Sequence, residues 1–180
     1  LIPFRDSASL TKVCVESIRR CAGTIPFELI LIDNGSTEPE TLAWLNEQQI
    51  QIDTTVVHID CDFNYAQIHN YARPYCKGTH LLLLNNDIEV RSNNILQKLL
   101  DPFAIRHTVA VGARLRYPSN SIQHHGVVLI KGERRCVLEP GKHLSEPSVI
   151  DMFTPLGVQE EWIAATAACL LLRSADFDRI

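Results

Sequence analysis

The chain is read as α/β: a Rossmann-like, mostly parallel sheet with helices on both faces and a smaller, mixed second half. Three observations carry this. Apolar strand-like runs alternate with segments of helical periodicity through the first half. Those runs are nearly continuous in Leu, Ile and Val, as expected of strands buried on both faces. Each run also breaks off into Asp, Asn and Ser, most abruptly in Leu81-Leu82-Leu83-Leu84-Asn85-Asn86-Asp87.

Leu1–Pro3 reads as the tail of a first strand. Residues 8–21 place Leu10, Val13, Cys14, Ile18 and Cys21 at helical spacing, with Arg19 and Arg20 in the last turn and Gly23 as a stop. Residues 27–32 form the second strand. Thr37 and Glu40 have capping-box spacing, with Pro39 near the start of a helix that runs to about Gln48. Residues 54–59 are the third strand. Residues 64–76 form a helix strained near Pro74, and residues 80–84 are the fourth strand. A further helix spans about 93–106, with Ile95, Leu96, Leu99, Leu100 and Phe103 inward. This order favours parallel strands joined by right-handed crossovers.

The second half changes character. Residues 109–115 and 121–130 read as strands around a Tyr-Pro-Ser-Asn turn. Residues 131–157 lack periodicity and read as a long surface loop, and residues 162–172 as a last strand. Residues 1–107 and 108–180 are expected to be the two halves of one domain over 1–180. Residues 174–180 read as the first turns of a helix, so the domain is expected to be truncated.

The chain has 180 residues, 46% of them hydrophobic, enough for one domain with a real core. A net charge of −4 gives no electrostatic case for nucleic acid or an anionic membrane surface. Basic residues cluster only in pairs, read as solvated. The six cysteines form no Cys-x-x-Cys pair, which favours buried thiols in a reduced intracellular protein over a disulfide framework. No apolar run approaches the roughly 20 residues needed to span a bilayer, and no signal peptide is visible.

The strand ends carry the chemistry. Arg5 and Asp6 follow the first strand; Asp33, Asn34 and Ser36 the second; Asp60 and Asp62 the third; Asn85 and Asp87 the fourth. In a parallel sheet these ends share one edge, where ligands of open α/β sheets sit. The cluster is acidic and lacks a glycine-rich phosphate loop, so phosphate binding would need a bridging cation. Mg²⁺ uses one or two carboxylates and takes its other ligands from phosphate and water, a role that suits Asp87. Asp33 can accept hydrogen bonds from a base or ribose.

In this order the motifs Ile2-Pro3-Phe4-Arg5-Asp6, Ile32-Asp33-Asn34-Gly35-Ser36-Thr37, Phe63-Asn64-Tyr65-Ala66, Asn70 with Gly78, Leu84-Asn85-Asn86-Asp87, Ile122-Gln123-His124-His125-Gly126 and Ala165-Thr166-Ala167-Ala168-Cys169 span nearly the whole chain. The set resembles glycosyltransferase family 2, with the GT-A nucleotide-diphospho-sugar fold. The resemblance implies that Pro3, Arg5 and Asp6 border the nucleotide base, that Asp33 contacts the base and ribose, and that Asn34, Asn64 and Asn86 lie at the nucleotide. Asn85-Asn86-Asp87 stands where the family has Asp-x-Asp, with Asp87 and Asn85 as ligands of Mg²⁺ or Mn²⁺. Asn85, a neutral donor, departs from the pattern and implies metal binding mainly with the diphosphate present. His124, His125, Trp162 and Thr166 fall where sugar or acceptor contacts lie, and the resemblance implies a nucleotide-binding half over 1–107 and an acceptor-side half over 108–180.

The implied reaction is metal-assisted, inverting transfer of a sugar from a UDP-, dTDP- or GDP-sugar to an acceptor hydroxyl on a glycan or lipid-linked sugar, in cell-surface polysaccharide synthesis. A cytoplasmic location is implied, with any membrane association supplied by parts outside this chain. Glu160 and Glu161 match no base motif, so the catalytic base is expected beyond Ile180. Two alternatives use the same sheet: a non-catalytic nucleotide- or sugar-binding module, and a sugar-phosphate nucleotidyltransferase. The latter usually carries a glycine-rich basic loop where this chain has Pro3-Phe4-Arg5-Asp6-Ser7.

Overall fold

The computed structural model describes residues 1–126, 128–130, 136–138, 161 and 164–180. They fall into two compact units, Leu1–Val111 with Leu171–Ile180, and Gly112–Leu170.

The first unit alternates β1 (Ile2–Phe4), α1 (Ala8–Cys21), β2 (Leu29–Asn34), α2 (Pro39–Gln49), β3 (Thr54–Ile59), α3 (Tyr65–Ala72), β4 (His80–Leu84) and α4 (Ile95–Leu100). Strands β1, β2 and β3 form a parallel sheet in which Pro3 pairs with Ile32 and Ile32 with Val57. On the other side of β1, the Leu1 nitrogen donates to the Leu82 carbonyl (2.8 Å) and the Leu84 N–H to the Leu1 carbonyl (3.0 Å). One residue bonded to j−1 and j+1 of its neighbour is a parallel bridge. The order is therefore β3-β2-β1-β4, as expected of right-handed crossovers on both sides of the first strand.

Strand β2 is buried along its whole length. Paired residues of parallel strands share a face, so Ile30, Ile32 and Val57 point one way, onto Ile68 and Ala72 of α3. Phe4, Asp33 and His58 are register partners on the opposite face, where Phe4 meets Trp44 of α2 edge-on at 6.0 Å. Helices thus cover both faces.

Several elements depart from the sequence pattern. In α1 the buried face is Ala8, Thr11, Cys14, Val15, Ser17, Ile18 and Cys21, while Leu10 and Val13 are exposed. The buried hydroxyls are engaged: Thr11 accepts from the Asn86 amide, and Ser17 accepts the Val90 N–H. Arg19 is not solvated but reaches Asp53 (2.9 Å) and Thr54 (2.7 Å). The Thr37–Glu40 capping box does not form. Glu38 is the cap residue, Asp6 takes the free N–H groups, and Glu40 pairs with Lys12. The helix expected over 64–76 ends at Ala72 and tightens into a 3₁₀ turn, Arg73–Tyr75. That expected over 93–106 does the same at Asp101–Ala104. A proline lacking an N–H sits in each turn, Pro74 and Pro102.

The expected strand over 109–115 is broken into β5 (Ala110–Gly112) and β6 (Leu115–Arg116). That over 121–130 becomes β7 (Ile122–His124) and β8 (Val128–Ile130), with Gly126 at φ 147° between them. Strand β6 pairs antiparallel with β7. Within the expected loop over 131–157, β9 (Cys136–Leu138) pairs antiparallel with β8, and the rest lies outside the described residues. The last strand, β10, starts only at Cys169 and runs to Arg173, between β4 and β5 in sheet order. Before it, backbone donors go to side chains instead of a ladder: Thr166 N–H to His124 and Ala168 N–H to the Thr166 hydroxyl. A short α5 (Ser174–Phe177) follows. Cys14, Cys21, Cys61, Cys76 and Cys169 are free thiols.

Two histidines in the first unit are expected to make its stability acid-sensitive. His69 is buried, stacks on Tyr65, and donates from Nδ1 to the Tyr65 carbonyl (2.7 Å). Burial lowers its pKa below the ordinary 6.5, outweighing the opposing hydrogen bond to Tyr65. Burial, then the Arg173 charge, lowers His80 as well. A folded-state pKa below the unfolded one gives stability that is complete above about 6.5 and is lost as pH falls. The melting temperature is expected to drop between pH 7 and 5, and His69→Phe to flatten that slope in a thermal-melt series. An unchanged slope would show that His69 does not carry the effect.

Candidate functional site

The parallel order brings the carboxyl ends of β1, β2, β3 and β4 to one edge, and the loops there are cross-linked by hydrogen bonds. Asp6 and Ser7 both lie in the left-handed region, at φ 55° and 56°. Non-glycine residues adopt it at a cost, met here by specific bonds. The Asp6 N–H donates to the Ser36 hydroxyl (2.7 Å), and Asp6 Oδ1 accepts the N–H groups of Thr37 (2.7 Å) and Glu38 (2.9 Å). The Glu38 and Thr37 N–H groups hold the Asp6 carboxyl below the usual carboxylate range. The Ser7 N–H donates to Glu38 (3.0 Å). The loop after β1 is therefore clamped onto the start of α2.

Gly35 follows at φ 75°, and a Cβ there would stand 3.1 Å from the Asp60 carboxylate, so the turn after β2 needs glycine. Asp33 is held from two sides. Oδ1 accepts the Ser36 N–H (2.9 Å), and Oδ2 lies 3.0 Å from His58 Nδ1. Asn34 is buried and accepts the Cys61 thiol. Asn64 caps α3 by accepting the Gln67 N–H (3.1 Å). Pro3 is buried inside β1, whereas Arg5 is exposed at its end.

After β4, the Asn85 carbonyl accepts the Ile88 N–H (3.3 Å), closing a turn, and also the Cys14 thiol. The Asn86 amide is turned down onto Thr11 of α1 (3.1 Å). Asp87 is exposed, and no described residue engages its carboxylate. Among the described residues, no three His, Cys, Asp or Glu side chains converge as a protein-only metal cage. A single free carboxylate beside Asn85 fits a cation that draws most of its ligands from a diphosphate and water.

In the second unit, Arg114 Nε donates to His125 Nδ1 (2.9 Å). His124 is buried and accepts the Thr166 N–H on Nε2 (3.1 Å). His124 and Thr166 thus meet directly, and both are held in place. Trp162 lies outside the described residues.

Pattern reasoning missed His58 and Gln49. A signal existed: His58 interrupts the apolar run Thr54–Ile59, and an in-register parallel pairing puts it opposite Asp33. An apolar cavity of about 250 Å³ lies toward the strand starts, lined by Leu1, Phe27, Leu29, Cys76 and Leu82, away from the acidic edge. Glu28, Thr79 and His80 are its polar lining residues.

The fold is that of the GT-A glycosyltransferases, as superposition on solved members shows. The chain superposes on a mannosyltransferase of Pyrobaculum calidifontis, PcManGT, solved with GDP-Man and Mn²⁺, at TM-score 0.55 and 19% identity over 65% of this chain and 34% of that one. It superposes on GalNAc-T7, solved with UDP, GalNAc and Mn²⁺, at TM-score 0.52 and 21% identity over 61% and 21%. Residues 1–147 match glycosyl transferase family 2, and the chain belongs to that family. It is 32% identical to the O-antigen biosynthesis protein RfbC of Myxococcus xanthus over its full length, and spans 14% of that protein.

Proposed function

We propose that the first unit binds a nucleotide-diphosphate sugar together with a divalent cation, and that the domain moves that sugar to an acceptor hydroxyl with inversion. The observation that carries this is the carboxyl edge itself, where Asp33 is fixed in place and the Asp87 carboxylate is left unengaged. Asp87, with the Asn85 amide, would hold the cation. When bound, the cation supplies positive charge to the departing diphosphate. Asp33 accepts from the base, and the clamp between Asp6 and the start of α2 fixes the loop that borders it. The acceptor oxygen attacks the anomeric carbon, the bond to the diphosphate breaks, and the acceptor proton passes to a carboxylate base.

Mn²⁺ in the two superposed structures and the RfbC relationship support metal use and a role in surface polysaccharide assembly. No helix among the described residues is long and apolar enough to cross a membrane. Calorimetric titration with UDP, dTDP and GDP, each with and without Mn²⁺, tests the reading. Binding of at least one nucleotide is expected, tighter with Mn²⁺. No binding in any condition would overturn it.

A further inference from the structure

We propose that Gln49 and His58 are positioning residues that set which nucleobase the site accepts, by holding Asp33 as a pure hydrogen-bond acceptor aimed at a ring N–H. The proposal rests on the nucleotide-binding reading above and adds to it the class of base and the residues responsible.

The three side chains come from three elements. Gln49 ends α2, His58 stands near the end of β3, and Asp33 near the end of β2. The Gln49 amide nitrogen lies 3.2 Å from His58 Nε2. The Gln49 amide engages that ring nitrogen and fixes the ring, and a carboxylate only accepts, so the other ring nitrogen, Nδ1, which faces Asp33, carries a hydrogen. That N–H donates to Asp33 Oδ2 at 3.0 Å. The Ser36 N–H donates to Oδ1 at 2.9 Å. Asp33 is thus approached by donors on both oxygens and fixed in rotation.

Burial gives this arrangement its consequence. The Asp33 side chain is 5% exposed, while that of His58 is 54% exposed. An ionised carboxylate has about four lone-pair sites, and two donors fill about half of them. A carboxylate so withdrawn from water gains from each further donor, and a group that presents a lone pair to it is rejected. Uracil, thymine and guanine carry a ring N–H on their pairing edge, whereas cytosine and adenine present a bare ring nitrogen there. Asp33 therefore favours the first three. His58 makes that choice strict by preventing the carboxylate from turning away.

The test is equilibrium titration of the wild-type chain and of His58→Ala and His58→Asn with UDP, dTDP, GDP, CDP and ADP in Mn²⁺. The wild type is expected to bind at least one of UDP, dTDP and GDP about tenfold or more tighter than CDP and ADP, the size of one charge-assisted hydrogen bond. His58→Ala is expected to shrink that ratio toward unity, and His58→Asn, whose amide nitrogen can stand in for Nδ1, to restore most of it. A merely structural His58 would shift all five affinities together and leave the ratio unchanged. Equal wild-type affinity for all five nucleotides overturns the base-selection proposal and leaves nucleotide binding intact. An unchanged ratio in His58→Ala overturns the role of His58. Failure of every nucleotide to bind overturns the underlying reading and this proposal with it. The wild-type ratio remains a test even where a variant does not fold.

Discussion

Asp87→Ala is expected to abolish the Mn²⁺-dependent part of nucleotide diphosphate binding while leaving the melting temperature unchanged. At the turn after β4 the Asp87 carboxylate is unengaged among the described residues and stands beside a neutral amide, so the proposal places the cation's carboxylate ligand there. Loss of an outer-shell partner of a metal ligand typically costs about 10–100-fold in affinity. Removing a direct carboxylate ligand is expected to reach at least the upper end of that range, with Kd in Mn²⁺ rising about 100-fold to the metal-free value. Folding should not notice, because Asp87 is exposed and unengaged among the described residues. Surface changes of that kind stay within about 0.5 kcal/mol. Calorimetry of the variant with and without Mn²⁺, beside a thermal melt, checks both halves. The reverse change, Asn85→Asp, adds a second carboxylate and is expected to tighten Mn²⁺-dependent binding. Wild-type affinity in Asp87→Ala would remove the Asn85-Asn86-Asp87 turn from the metal assignment.

The sequence showed the strands more clearly than the caps, for a physical reason. Well-buried strands appear as apolar runs, and β4 (His80–Leu84) and even β3 (Thr54–Ile59), whose run His58 breaks, span the residues expected of them. Caps are contests between donors near and far in sequence. The local box from Thr37 to Glu40 lost to Asp6, more than thirty residues away, whose carboxylate takes the Thr37 N–H that Glu40 would have capped, and the Glu38 N–H besides. Helix α1 follows the same rule. Thr11 and Ser17 look like the solvent face by hydropathy, yet they turn inward because the chain after β4 needs partners for Asn86 and Val90. Leu10 and Val13 are left outside as a result.

The candidate site was legible as a set of strand ends, because parallel topology alone puts Asp6, Asp33 and Asp87 on one edge. What each residue does there was less legible. Asn64 and Asn86 spend polar atoms on helix α3 and on Thr11, which spacing could not show. The partner of Asp33 was hidden for a different reason. A histidine inside a strand has no local signature, and its meaning appears only once β2 and β3 are set in register.

That register depends on the packing beneath it, which sets the second large effect. Ile68→Ala is expected to destabilise the first unit by about 2–5 kcal/mol, the usual cost of truncating a fully buried aliphatic side chain. Ile68 is completely buried on α3 against Ile30 and Ile32 of β2 and Val57 of β3. The truncation removes apolar burial and leaves a void that stiff β-branched neighbours fill poorly. With net stabilities of small domains near 5–15 kcal/mol, such a loss is a large fraction of the whole. Urea denaturation is the measurement, with the midpoint expected to fall and the m-value unchanged. Asp33 sits one residue beyond Ile32 and points to the opposite face, toward α2, so the cavity opens on the α3 side of the same strand. Below its melting temperature the variant is therefore expected to keep its nucleotide affinity. A large fall in affinity with little fall in stability would mean that α3 acts on the acidic edge directly, and that the division between a supporting face and a binding edge is wrong.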